Sequence, residues 1–144
     1  MDGGEFVAQV KGENERLPVK LDRLLESSLY VDDLARSVRF YESVLGLELI
    51  ASDAERLRAM GVAGRQVLLL FKKGASSDHD GDGRLHLAFA IPAAELAAWE
   101  MRLAKCGVAI ETRTTWPRGG QSLYFRDPDS HLLELATPGV WSLY

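Results

Sequence analysis

Polar and apolar residues alternate along residues 24–31. Leu24, Glu26, Ser28 and Tyr30 fall on one face, and Leu25, Ser27, Leu29 and Val31 on the other, which predicts a β-strand. The period then changes. Leu34, Val38, Tyr41 and Leu45 recur at helical spacing over residues 34–45; Asp32 or Asp33 stands ready to cap the start, and Gly46 ends the run. Residues 47–51 resume as a strand. Residues 54–60 favour helix by composition and a hairpin arm by position, and a Gly61-Val-Ala-Gly64 turn leads into a strand at residues 66–72. After a polar loop at residues 74–83, alternation returns, with Leu87, Phe89 and Ile91 on one face and His86, Ala88 and Ala90 on the other. Pro92 breaks this strand, and residues 94–105 predict a helix burying Leu96, Trp99 and Leu103. Strands are then expected at residues 108–112, 122–126 and 131–136, with a loop at 116–120 and a tight Asp127-Pro-Asp-Ser130 turn.

The two halves match. Glu26 precedes Val31 by five residues and His86 precedes Ile91 by five, and each member of the second pair lies 60 residues beyond its counterpart. Such a fixed offset is what an internal duplication produces. Each copy reads βαβββ, so the expected fold is α+β: two βαβββ modules forming a curled mixed sheet around a cleft, with the helices outside. The first module spans about residues 22–74 and the second about 84–137. Residues 1–21, which have scattered charges and no period, are expected to be a flexible extension, and residues 138–144 a C-terminal tail.

Composition narrows the function classes. The 144 residues are 47% apolar and 26% charged, ordinary values for a water-soluble globular domain. A net charge of −4, spread along the chain, gives no footprint for nucleic acid. No apolar run approaches the ~20 residues that cross a bilayer, and the N-terminus has no charged-then-apolar leader. A lone cysteine, Cys106, agrees with a reducing cytoplasm and is expected to be a small buried or half-buried residue. The Asp78-x-Asp80-x-Asp82-Gly83 run begins like a calcium loop, but its twelfth position is Phe89 instead of a bidentate carboxylate, which argues against calcium.

Candidate chemistry follows from the strand faces. His86 shares its face with two alanines, which leave room beside the imidazole. Glu26 shares its face with Ser28 and Tyr30, and Glu134 lies off the Leu133–Leu135 face of the last strand. Three strands therefore direct Glu26, His86 and Glu134 toward one side. Buried carboxylates without partners are expensive, and a divalent cation removes the penalty for both glutamates together. His79 and His131 have no matching register and are expected to face solvent. In the loop at residues 116–120, Arg118 is a candidate for a substrate anion and Trp116 for an aromatic contact. Glycines 119 and 120 are expected to let this loop move over the site. Tyr124 alternates with Leu123 and Phe125, so its ring can face the site as a hydrogen-bond anchor or proton donor, or serve as packing. Trp141 and Tyr144 are expected to close the pocket or a subunit contact, or, for Trp141, to join the core.

Two stretches resemble signatures of the vicinal oxygen chelate superfamily, which includes glyoxalase I, fosfomycin- and bleomycin-resistance proteins and extradiol dioxygenases. One is Leu29-Tyr-Val-Asp-Asp-Leu-Ala-Arg-Ser-Val-Arg-Phe-Tyr-Glu-Ser-Val-Leu-Gly46, and the other Gly120-Gln-Ser-Leu-Tyr-Phe-Arg-Asp-Pro-Asp-Ser-His-Leu-Leu-Glu-Leu135. The resemblance implies a metal ligand on the first strand of each module, here Glu26 and His86, and one on the last strand, here Glu134. It also implies one divalent ion (Mn, Fe, Zn, Mg or similar), a small substrate with adjacent oxygens, and a homodimer. Glu26 or Glu134 would also move a proton. Two departures stand out. Many members have histidine where Glu26 stands, and the fourth ligand of glyoxalase I would come from residues 68–70, which are all leucine. The alternative implied by the same resemblance is a metal-free binding protein, in which Glu26 and Glu134 hold a cationic compound and Trp116 and Tyr124 stack on it.

Overall fold

The computed structural model describes residues 19–75 and 81–144. The expected extension at residues 1–21 therefore falls almost wholly outside the described residues, as do Asp78, His79 and Asp80 of the calcium-like run. The elements run β1 Glu26–Val31, α1 Leu34–Ser43, β2 Glu48–Asp53, β3 Leu57–Val62, β4 Gln66–Lys72, β5 His86–Ala90, α2 Leu96–Lys105, β6 Thr112–Thr115, β7 Gln121–Arg126 and β8 Leu132–Ala136. The order is βαβββ twice, as the repeat predicts.

Each module forms one open four-stranded sheet, in the orders β1-β4-β3-β2 and β5-β8-β7-β6. In both sheets the first strand joins the last in parallel and the other pairs are antiparallel. The helical crossover returns the chain to the far side of the sheet, which is what a parallel neighbour requires. The two ladders can be superposed strand for strand. Ser28 stands opposite Leu69 in β4, as Ala88 stands opposite Glu134 in β8.

Leu29, Val31, Met60, Leu68 and Leu70 from the first sheet and Leu123, Phe125, Leu133 and Leu135 from the second are all buried in one apolar cluster with Leu34, Tyr41 and Leu103 of the helices. Leu87 and Phe89 pack against this cluster, while His86, Ala88 and Ala90 are exposed. One face of each sheet is thus core and the other open, and the strand alternation read from the sequence has the correct phase.

Some boundaries differ. Residues 54–60 resolve as the hairpin arm β3, because pairing with both β2 and β4 outweighs local helix propensity. The second helix is preceded by a single 3-10 turn at Ala93–Glu95. The expected strand at residues 108–112 begins instead at Thr112, since Val108 and Ile110 pack on the core before the ladder with β7 starts. Cys106 is exposed, not buried. It caps the end of α2 just before Gly107, whose φ of 71° turns the chain, and its thiol lies over the Ser43 carbonyl. Trp141 is also exposed, at 58%, so it is not core. Tyr144 folds back, and its hydroxyl donates to the carbonyls of Ile91 and Ala136.

The largest correction concerns His131, which is 1% exposed and not solvent-facing. Ser130, with φ of 65°, turns the chain inward, and Asp127 Oδ1 accepts the backbone N–H of both Asp129 and His131. The imidazole then bridges the modules. Its Nδ1 accepts the Leu85 N–H at 3.0 Å, so its Nε2–H donates to the Tyr30 carbonyl at 2.9 Å. Around it, Tyr41 donates to Asp127 Oδ2 at 2.7 Å, and Asp129 accepts from the Asp32 N–H, Arg36 and the Ser37 hydroxyl. The Asp127–Ser130 turn of module two is thereby locked to the start of α1 in module one. This lock fixes where β8 begins.

Candidate metal centre

The open face of the second sheet is set by register. His86 opposes Leu132, Ala88 opposes Glu134, and Tyr124 opposes Glu134 from the other side. His86, Ala88, Glu134 and Tyr124 consequently share one face, with Ser122 diagonal to Glu134. His86 Nε2 lies 3.1 Å from Glu134 Oε1. The histidine side chain is half exposed, whereas Glu134 is buried, with 7% of its side chain accessible. Tyr124 stacks beside the imidazole with centroids 6.1 Å apart. Burial, and after it the Glu134 charge, push the Tyr124 phenol up from its usual range.

The hydrogen bonds dictate a tautomer. His86 Nδ1 lies 3.0 Å from the Leu132 carbonyl, which can only accept, so Nδ1 carries a proton. In the neutral ring, Nε2 then presents a lone pair toward a carboxylate oxygen. Two lone pairs at that separation repel unless a proton or a metal cation stands with them. Anchoring of the far ring nitrogen by a backbone carbonyl is the usual outer support of a metal-binding histidine. A divalent cation suits this donor pair, one imidazole nitrogen and one buried carboxylate.

Glu134 is held from its other oxygen. Ser122 donates to Oε2 at 2.6 Å, and the Trp116 indole N–H donates to the Ser122 hydroxyl at 2.9 Å. Trp116, singled out in the sequence as an aromatic contact, is therefore tied into the support of Glu134. Ser122 was missed, although the alternation that puts Tyr124 on the site face puts Ser122 there as well. Arg118 is exposed in the loop between β6 and β7. One of that loop's two glycines is packed against a neighbouring backbone. Gly120 is buried, and a Cβ on it would stand 2.4 Å from the backbone of Gly139 and Val140.

Glu26 does not join the pair. It begins β1 in an exposed position and lines, with Leu24, Leu25, Ala88 and Phe89, a cavity of about 160 Å³ between β1 and β5. Among the described residues of a single chain, no three His, Cys, Asp or Glu side chains meet in metal-holding geometry. In the first sheet the place of Glu134 is taken by Leu69, with Leu68 and Leu70 buried on either side, so that strand offers no donor.

Comparison with known proteins decides the family. Residues 20–135 match the Glyoxalase/Bleomycin resistance protein/Dioxygenase superfamily. The chain belongs to that superfamily. Within it, the chain is 31% identical over 112 residues to a metallothiol transferase FosB from Bacillus licheniformis, covering 77% of this chain and 72% of that protein. It is 30% identical over 125 residues to a lactoylglutathione lyase from Salmonella typhimurium, covering 78% and 90%. A crystal structure of a lactoylglutathione lyase from Agrobacterium tumefaciens superposes with a TM-score of 0.77 at 30% identity, covering 85% of this chain and 98% of that one. The superfamily relatives named here are enzymes, a transferase and lyases.

Proposed function

We propose that this glyoxalase-superfamily chain is a divalent-metal-dependent enzyme acting on a small substrate with two adjacent oxygens. The observation that carries the reading is the pairing of His86 Nε2 with the buried Glu134 Oε1, given that the other imidazole nitrogen is committed to the Leu132 carbonyl. His86, Glu134 and Glu26 would hold the cation. When bound, it would neutralise the carboxylates, chelate both substrate oxygens and stabilise an enolate or oxyanion as charge develops. The transferase and lyase relatives favour addition or isomerisation over ring-opening oxygenation.

The chain's own residues have separable tasks. Glu134 is buried and tied to Ser122, so it serves as a fixed ligand. Glu26 is exposed at the start of β1, so it is the carboxylate better placed to accept and return a proton. Tyr124 keeps its phenolic proton across the neutral range and can donate it to a substrate oxygen beside Glu134. Arg118 would meet an anionic substrate group from the loop. Ala88 and Ala90 leave the exposed side of the site open to substrate.

Because one chain brings together two of the three donors, Glu26 is assigned to the site of a second copy, in a homodimer. The exposed Leu21, Leu24 and Leu25 just ahead of Glu26 give this segment the apolar surface such a contact buries. Titration of metal-stripped protein with Mn²⁺ tests the reading. Wild type should bind one ion per chain. His86→Ala and Glu134→Ala should weaken binding by more than the about 10–100-fold that loss of an outer partner costs. Variants that bind as tightly as wild type would overturn it. If no added cation binds or raises the melting temperature, the metal-free binding protein becomes the better reading.

A further inference from the structure

We propose that Ser122 and Trp116 are positioning residues that tie up one oxygen of Glu134, so that this carboxylate presents Oε1 alone to a cation. The inference rests on the metal reading above and specifies its coordination. The direction of each bond is forced. An indole N–H can only donate, so the Ser122 hydroxyl accepts it through a lone pair. The single Ser122 proton is then available for Glu134 Oε2, and the 2.6 Å separation is that of a charge-assisted O–H···O⁻ bond. Oε1 is left facing His86 Nε2 at 3.1 Å.

The relay is anchored at its far end as well. The Trp116 backbone N–H donates to the Gly120 carbonyl at 2.8 Å, and Thr115 pairs with Gln121, which closes the loop. Gly120 in turn abuts Gly139 so closely that no side chain fits between them. Thr137 reinforces this seam by accepting the Gln121 N–H at 2.8 Å and by donating its backbone N–H to the Gln121 carbonyl. The indole is therefore held by a loop stitched to the segment that follows β8. For Glu134 to grip a cation through both oxygens, the cation would have to share Oε2 with the Ser122 hydroxyl and turn the carboxylate away from it, weakening that bond inside a buried environment where an unmet hydroxyl and indole are costly. One-oxygen ligation keeps every partner satisfied.

Two measurements on the full-length chain test this. In metal-free protein labelled with ¹⁵N-indole, the Trp116 Nε1–H resonance, assigned through Trp116→Phe, should move in both Ser122→Ala and Glu134→Gln. The Trp99 and Trp141 resonances should stay in place. In Mn²⁺ titrations, Ser122→Ala should weaken binding about 10–100-fold, and Ser122→Thr should restore most of it. Trp116→Phe should weaken binding less. The double variant should be no worse than Ser122→Ala alone, because Trp116 acts through Ser122. An indole resonance indifferent to Glu134→Gln would overturn the relay. A responsive resonance with unchanged Mn²⁺ affinity in Ser122→Ala would overturn the positioning role. If the wild-type chain binds no Mn²⁺ while its indole still answers to Glu134→Gln, the metal reading itself fails.

Discussion

His86 and His131 have the same side chain and opposite surroundings. Both lie near the edge where β5 meets β8, and both use one nitrogen to engage backbone. His131 spends its second nitrogen on another backbone group, so it is saturated and structural. His86 turns its second nitrogen toward a carboxylate on an open face, the arrangement on which the proposed metal site rests. Tyr41 illustrates a third case, a buried hydroxyl serving a buried acid. Burial, and then the Asp127 charge, hold its phenol far above the usual range. A group of this kind favours folding while it is protonated in both states. The unfolded chain ionises near pH 10, so the contribution is intact below that and lost as pH rises above it. Tyr41→Phe should cost about 1–2 kcal/mol at pH 7 and show a shallower fall in urea midpoint above about pH 10. Equal alkaline slopes in the two proteins would contradict this. At this scale the sequence was legible where side-chain type and strand phase sufficed, as for His86, Glu134 and Tyr124. His131 was not, because its burial follows from a turn whose backbone is organised by Asp127, four residues upstream. Nothing in strand alternation encodes that.

Elements carry the repeat. The βαβββ order and the core and open faces were readable from period and spacing, since they depend on side-chain alternation and segment length; the strand order within each sheet was not, because it depends on pairing between distant segments. Element ends were less readable. The start of β6 and the 3-10 turn before α2 depend on packing between segments distant in sequence. The loop between β6 and β7 shows the same limit. Its glycines suggest mobility, yet Gly120 is glycine because the Gly139 backbone leaves no space for a side chain. Gly139→Ala should therefore destabilise the protein by about 1–3 kcal/mol through overpacking, added to the strain of its φ of 103°. It should also shift Trp116 fluorescence, because the loop must move. Gly64→Ala is the control. It shares a left-handed φ, 67°, but has nothing within 4 Å of its added methyl, so about 1 kcal/mol and no change at Trp116 are expected. Equal losses for the two variants would show that the seam is not tight.

At the scale of the whole molecule, one duplicated unit has diverged into a donor-rich and a donor-poor half. The second module supplies His86, Glu134 and the relay that supports them. The first has Leu69 in the place of Glu134, with Glu26 exposed at the start of β1. The duplication made the three candidates visible in the sequence. Where Glu26 lies relative to the His86–Glu134 pair was not visible, because it depends on how the modules meet, which strand phase does not determine. Diffraction from crystals soaked in Mn²⁺, with anomalous differences collected at the metal edge, tests the proposed metal site directly. One anomalous peak per chain is expected, ~2.0–2.3 Å from His86 Nε2, from Glu134 Oε1 and from a Glu26 carboxylate oxygen contributed by the second copy. No anomalous peak at the His86–Glu134 pair, or a peak there with Glu26 of every copy remaining more than ~8 Å away, would contradict it.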